Sequence, residues 1–115
     1  MVEKYEVGTY EVLLMSQYTS GGGGHQIGFV YFYEPNTEKY IGYAGIIKDS
    51  AALPPNVQGA NGVLNIYFHE AELGPMLDVL RNEKPVFVQY NTGLKWGSVG
   101  TGKEPVGEQE PPAGS

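Results

Sequence analysis

Along most of the chain, apolar residues either alternate with polar ones or run together in short blocks bounded by Gly, Pro, Asn and Asp, which is the signature of strands and turns. Tyr10 to Tyr18 reads as a strand, and with only Glu11 interrupting its apolar centre it is expected to be buried on both faces. Residues 26–33 alternate strictly. Phe29, Tyr31 and Tyr33 fall on one side, Val30 and Phe32 on the other. The turn Glu34-Pro35-Asn36-Thr37-Glu38 then folds this strand back onto 39–47 as a hairpin. Gly42 and Gly45 in the return strand predict a bend or bulge. Val63 to Phe68 is a further strand, and 85–90 and 95–99 form a last hairpin about Asn91-Thr92-Gly93. Residues 1–8 read as a flexible or edge segment.

One stretch breaks this pattern. Leu73, Met76, Leu77 and Leu80 stand at i, i+3, i+4 and i+7, one stripe of a helix. Pro75 belongs in a first turn, where its missing N–H costs nothing. Glu70 and Glu72 suit the positive end of the dipole, Arg81 and Lys84 the negative end. Asn82 is a natural stop before Pro85. The spacing predicts one helix over about 72–83. The order becomes β-β-β-β-α-β-β, a mainly β fold with a single helix. The expected architecture is a small antiparallel, OB-like β-barrel, with the helix closing an end.

Length adds that this is one domain, 1–100, followed by a Gly/Pro/Glu-rich tail at 101–115 expected to be disordered. Residues 48–62 form a long irregular connection, of a length that is often functional. There is no cysteine among the 115 residues, which removes disulfides, thiolate nucleophiles and Cys-ligated metals. No run approaches the roughly 20 apolar residues of a membrane span. The start carries no secretory pattern, so a cytoplasmic site is expected, or a secreted one if a leader has been removed.

Charge narrows the function. The net charge is −6, and the seven Lys and Arg are scattered singly. A nucleic-acid binder draws much of its affinity from neutralising phosphates with a basic stripe; none is present here. The Gly21–Gly24 run lacks the Lys-Ser/Thr and following helix of a phosphate loop, and reads as a linker between strands. His25 and His69 lack the carboxylate spacing of a metal site. No serine sits in a nucleophile elbow or beside a base. The chain is therefore expected to be non-catalytic, with no metal and no cofactor.

The aromatics carry the remaining signal. Tyr31, Tyr33, Tyr40, Tyr43, Tyr67, Tyr90 and Trp96 are many for so small a domain. About half must fill the core. The others can stack on sugars or bases, or anchor a protein interface. Tyr31, Tyr33, Tyr40 and Trp96 are the candidate contact residues. His25 and Asn91 join them beside the loops 19–25, 48–62 and 91–94.

From about Tyr10 to Val99, the order of elements resembles an OB-fold barrel, in the variant found in the pentameric B subunits of bacterial AB-type toxins. The likeness is strongest over Glu72 to Tyr90. There Met76-Leu77-Asp78-Val79-Leu80-Arg81-Asn82-Glu83-Lys84-Pro85-Val86-Phe87-Val88 is similar to the helix, its basic stop and the next strand. The resemblance implies barrels that assemble side by side through edge strands, here a homo-oligomer such as a pentamer, and glycan recognition by loops and aromatic groups. The residues leave three readings open. The first is a binding module for a glycan or small ligand. The second is an assembly or protein-interaction subunit of a bacterial or phage apparatus. The third, disfavoured by charge, is a single-strand nucleic-acid binder.

Overall fold

The computed structural model describes residues 1–16 and 25–103. The Gly21–Gly24 run and residues 104–115 of the expected tail lie outside them. The elements are β1 (Val2–Val7), β2 (Thr9–Leu14), β3 (Gln26–Tyr33), β4 (Tyr40–Ile47), β5 (Val57–Gln58), β6 (Leu64–His69), a 3-10 turn (Glu70–Glu72), α1 (Leu73–Asn82), β7 (Val86–Asn91) and β8 (Gly97–Thr101). The fold is mainly β with one helix. Six strands, not four, precede that helix.

The strands divide into two sheets, with orders β1-β7-β8 and β2-β3-β4-β6-β5, and no closed barrel is found among the described residues. Nor is the larger sheet purely antiparallel. β4 and β6 run parallel, Gly42 opposite Leu64 through Ile47 opposite His69. The physical reason lies in 48–63. A connection this long carries the chain back to the end where β4 began, as a tight turn cannot. Of the two expectations for the polar start of the chain, the edge segment holds and the flexible one does not. β1 pairs with β7 along its whole length, from Val2–Asn91 to Val7–Val86.

Two seams join the sheets. At the first, β1 passes into β2 through Gly8 alone. Its N–H donates to the Tyr33 carbonyl at 2.8 Å, and a Cβ there would run into the Pro35 backbone. Only glycine lets one strand turn this corner against the β3–β4 turn. At the second, the long connection laces the other side. The Asn56 Oδ1 accepts from the Tyr67 N–H at 2.8 Å, its Nδ2 donates to the Lys95 carbonyl at 3.1 Å, and its own carbonyl accepts from the Tyr90 hydroxyl at 3.3 Å. Gln58 on β5 also reaches Tyr5 on β1, Nε2 to hydroxyl, at 3.5 Å.

A single core fills the space between. Val30, Phe32, Ala44, Ile46, Leu64 and Ile66 come from the five-stranded sheet, Val88 and Tyr90 from the other, and Met76 from α1. Leu73 and Leu80 pack half-buried around them, so the helical stripe faces the core as its spacing predicts. The helix runs to Asn82. Glu83 is extended, and its N–H still donates to the Val79 carbonyl at 3.0 Å.

β2 overturns an expectation. It is an edge strand, and Val12, Leu13 and Leu14 are 39, 43 and 64 % exposed rather than buried on both faces. A run of apolar residues cannot by itself distinguish a central strand from an uncovered edge.

Candidate aromatic ligand face

The outer face of the five-stranded sheet is built by alternation. On β3, Val30 and Phe32 point into the core, so Phe29, Tyr31 and Tyr33 must point out, and all three are half-buried. Antiparallel register sets Tyr43 opposite Tyr31, and Tyr40 opposite Tyr33. Tyr40 and Tyr43 are three residues apart, and strict alternation would send them to opposite faces. The irregularity between Phe32 and Tyr33 resets the phase, so both join the same surface. On β6, Tyr67 stands beside Gly45 and extends the row.

The rings form a connected set. Phe29 stacks on Tyr31 with centroids 5.5 Å apart, and meets Tyr43 edge-on at 5.1 Å. Tyr40 tilts against Tyr33 at 5.6 Å and Tyr31 at 6.3 Å. Tyr43 and Tyr67 pack edge to face at 6.1 Å, with their hydroxyls 3.1 Å apart and hydrogen-bonded. These are the spacings at which aromatic pairs attract beyond simple burial. At the β2 margin, the Tyr33 hydroxyl donates to the Glu11 carboxylate. Glu11 and Glu38 line a hollow there with Thr9, Tyr10 and Tyr33.

Two of the phenols, Tyr40 and Tyr33, are held in their neutral form. Burial, followed by the neighbouring Tyr31 and Tyr33, pushes Tyr40 up to about 12. The hydrogen bond to Glu11 is the main cause that raises Tyr33, because losing its proton would set two negative groups in contact. The face therefore presents uncharged rings with hydroxyl donors, edged by carboxylates.

The structure brings together three of the residues singled out from sequence, Tyr31, Tyr33 and Tyr40. The other three stand elsewhere. Trp96 sits in the β7–β8 turn, 42 % exposed, and takes part in none of these ring contacts. Asn91 shapes that same turn, its Oδ1 accepting from the N–H groups of Gly93 at 3.0 Å and Leu94 at 2.7 Å. His25 precedes β3 at the end remote from Tyr33, and its carbonyl accepts from the Lys48 N–H at 2.9 Å. Phe29, Tyr43 and Tyr67 also belong to the face. The strand phase of Phe29 was legible. That of Tyr43 was hidden by the bulge.

Among the described residues, no cluster of three or more His, Asp or Glu could hold a metal ion, and no helix is long and apolar enough to cross a membrane. His69 serves a structural role. Its Nε2 is 2.8 Å from the Ala51 carbonyl and ties the long connection to the end of β6.

These features define the chain as a mainly β domain of two sheets and one helix, bearing an aromatic outer face. No family model, curated protein or solved structure matches it.

Proposed function

We propose that this chain is a non-catalytic binding module that takes a glycan, or a comparably flat uncharged ligand, on the outer face of β3, β4 and β6. The carrying observation is the connected set of six rings, Phe29, Tyr31, Tyr33, Tyr40, Tyr43 and Tyr67, drawn from three strands onto one surface. A sugar ring has an apolar C–H face and a hydroxyl rim. Half-buried phenols match both, one through the ring and the other through the hydroxyl. The rings brace one another, so little side-chain freedom is lost on binding. The net charge of −6, with Glu11 and Glu38 at the margin, disfavours phosphate-bearing ligands and with them nucleic acid.

The OB-fold resemblance forms part of this proposal. OB modules bind on the face of their second and third strands. In the five-stranded sheet, the second and third strands in chain order are β3 and β4, which carry five of the six rings. The Gly8 corner and the Gln58–Tyr5 contact lie where such a sheet would curl toward closure.

A glycan array, followed by calorimetry on any hit, tests the reading. Tyr31→Ala and Tyr40→Ala are expected to weaken binding at least about tenfold, the scale of a lost anchor residue, and Trp96→Ala to leave it unchanged. An empty array would count against a glycan. Loss of binding in Trp96→Ala alone would move the site to the β7–β8 turn. A second reading, an assembly subunit, is favoured by one observation, the apolar edge that β2 leaves unpaired among the described residues.

A further inference from the structure

We infer that the outer edge of β2 pairs antiparallel with β2 of a second copy, about a twofold axis at Leu13. The two five-stranded sheets then become one, with both aromatic faces on the same surface.

The backbone supplies the first argument. β2 ends its sheet, so one side of the strand faces no neighbour among the described residues. The N–H of Met15 donates to the Ile27 carbonyl at 2.7 Å, in register with Leu13 opposite Phe29. In an antiparallel pair the bonding groups alternate. Odd-numbered residues thus turn their N–H and C=O toward β3, while Tyr10, Val12 and Leu14 turn theirs outward. An edge of this kind accepts an extended strand and nothing else so well.

The side chains supply the second. Protein edges are commonly blunted by lysine, proline or bulges. β2 carries one charge, Glu11, and exposes apolar side chains on both faces: Val12 and Leu14 on one, and Leu13, beside the polar Thr9 and Glu11, on the other. A strand added here gains hydrogen bonds and covers apolar surface on its two sides at once.

The third argument selects a second copy and its register. A twofold at Leu13 sets Val12 against Leu14 of the other copy, Tyr10 against Ser16 and Glu11 against Met15. Every outward-facing position from Tyr10 to Ser16 finds a like position, and the two carboxylates stay apart. A twofold at Glu11 would bring those carboxylates face to face. One at Val12 would set Ser16 opposite Gly8, where the chain has already turned into the other sheet. Of these three registers, the one centred on Leu13 is self-complementary over the whole of Tyr10 to Ser16.

The arrangement bears on ligand binding. Glu11 and Leu13 lie on the aromatic side, opposite Tyr31 and Phe29. Two copies of β3 would stand three strand spacings apart, about 14 Å. A branched or repeating ligand could span both faces, and its second contact would benefit from high effective concentration.

Sedimentation equilibrium on the full chain tests the association, and cysteine scanning tests the register in a protein with no native thiol. At the twofold, Leu13 meets its own counterpart across a non-hydrogen-bonded pair, with Cα atoms about 4.5 Å apart, within disulfide reach. The full chain is expected to dimerise, and Leu13→Cys to cross-link under mild oxidation much faster than Val12→Cys or Leu14→Cys alone. Val12→Pro removes an outward N–H that β3 does not use. It should weaken the dimer about tenfold or more while the circular dichroism stays native. Leu14→Lys should do the same without touching the backbone, which keeps the test decisive if the proline variant unfolds. A full chain that stays monomeric at high concentration overturns the inference. So does a dimer in which Leu13→Cys does not cross-link ahead of its neighbours, or one that withstands both Leu14→Lys and a folded Val12→Pro. Glycan binding by a monomeric Leu14→Lys variant would leave the ligand face standing, so the two proposals fail separately.

Discussion

The ring of Tyr67 occupies the space over Gly45. A Cβ built on that glycine would lie 2.7 Å from the Tyr67 Cδ1 and 2.8 Å from the Gln26 Nε2. β4 needs glycine here because an aromatic side chain from β6 and an amide from β3 already fill the place of its side chain. Gly45→Ala would have to displace both. Tyr67 is tied to Tyr43 through their hydroxyls, and Gln26 is enclosed at 3 % exposure, so neither is free to yield. The expected cost is about 1–3 kcal/mol, the usual scale of overpacking. Urea unfolding measures it. A midpoint shift worth less than about 0.5 kcal/mol, the range of ordinary surface changes, would show that the Tyr67 ring moves without resistance.

Asn56 is the second residue whose loss should be felt throughout the fold. Its side chain accepts from the Tyr67 backbone and donates to the Lys95 carbonyl, clasping β6 to the β7–β8 turn. Asn56→Ala leaves the half-buried Tyr67 N–H without this acceptor, and such a group costs about 1–3 kcal/mol. Asn56→Asp keeps the acceptor and loses the donor, so it should fall between wild type and the alanine variant. Hydrogen exchange at the Tyr67 amide provides a local readout. It should accelerate in Asn56→Ala and much less in Asn56→Asp. Equal acceleration in both would assign the effect to the Lys95 contact instead.

What the sequence disclosed follows from how local each signal is. The helix was legible because four apolar residues at helical spacing need no distant partner to be recognised. The β3–β4 hairpin was legible because Pro35 and Asn36 sit between two runs rich in β-formers. Partnership between strands distant in the sequence was not legible. Nothing near Val2 says that it will meet Asn91, and nothing in 48–62 says that it will return the chain parallel to β4. The clasp at Asn56 takes half its meaning from Tyr90 and Lys95, more than thirty positions away. The candidate site divides in the same manner. Tyr31 and Tyr33 follow from the alternation of one strand. Tyr43 joins them across a bulge that Gly42 signals without fixing its phase, and Tyr67 only through a parallel pairing, a long-range fact. Trp96, chosen for residue type and loop position, had no pairing signal to link it with the tyrosines.

The tyrosine face should also announce itself in strong alkali. The phenol of Tyr40 is pushed up to about 12 by burial first and then by Tyr31 and Tyr33, whereas in the unfolded chain it titrates near the ordinary 10.0. A raised folded value means that the native state holds this proton more tightly. Below pH 10 both states are protonated, and the stabilising contribution is complete. From pH 10 to about 12 the unfolded phenol ionises first, and stability falls as pH rises. In Tyr40→Phe this part of the decline is absent, so its urea midpoint should drop less over that window than that of wild type. Parallel curves would mean that Tyr40 is not held neutral by its surroundings. Tyr33 supplies an internal check. The hydrogen bond to the Glu11 carboxylate is the main cause of its raised value. Glu11→Gln removes that charge and should move one phenol toward ordinary titration in an ultraviolet phenolate scan. Ligand affinity should then follow the same pH window, because a phenolate on the face withdraws a hydroxyl donor and adds charge where an uncharged ring is proposed to stack.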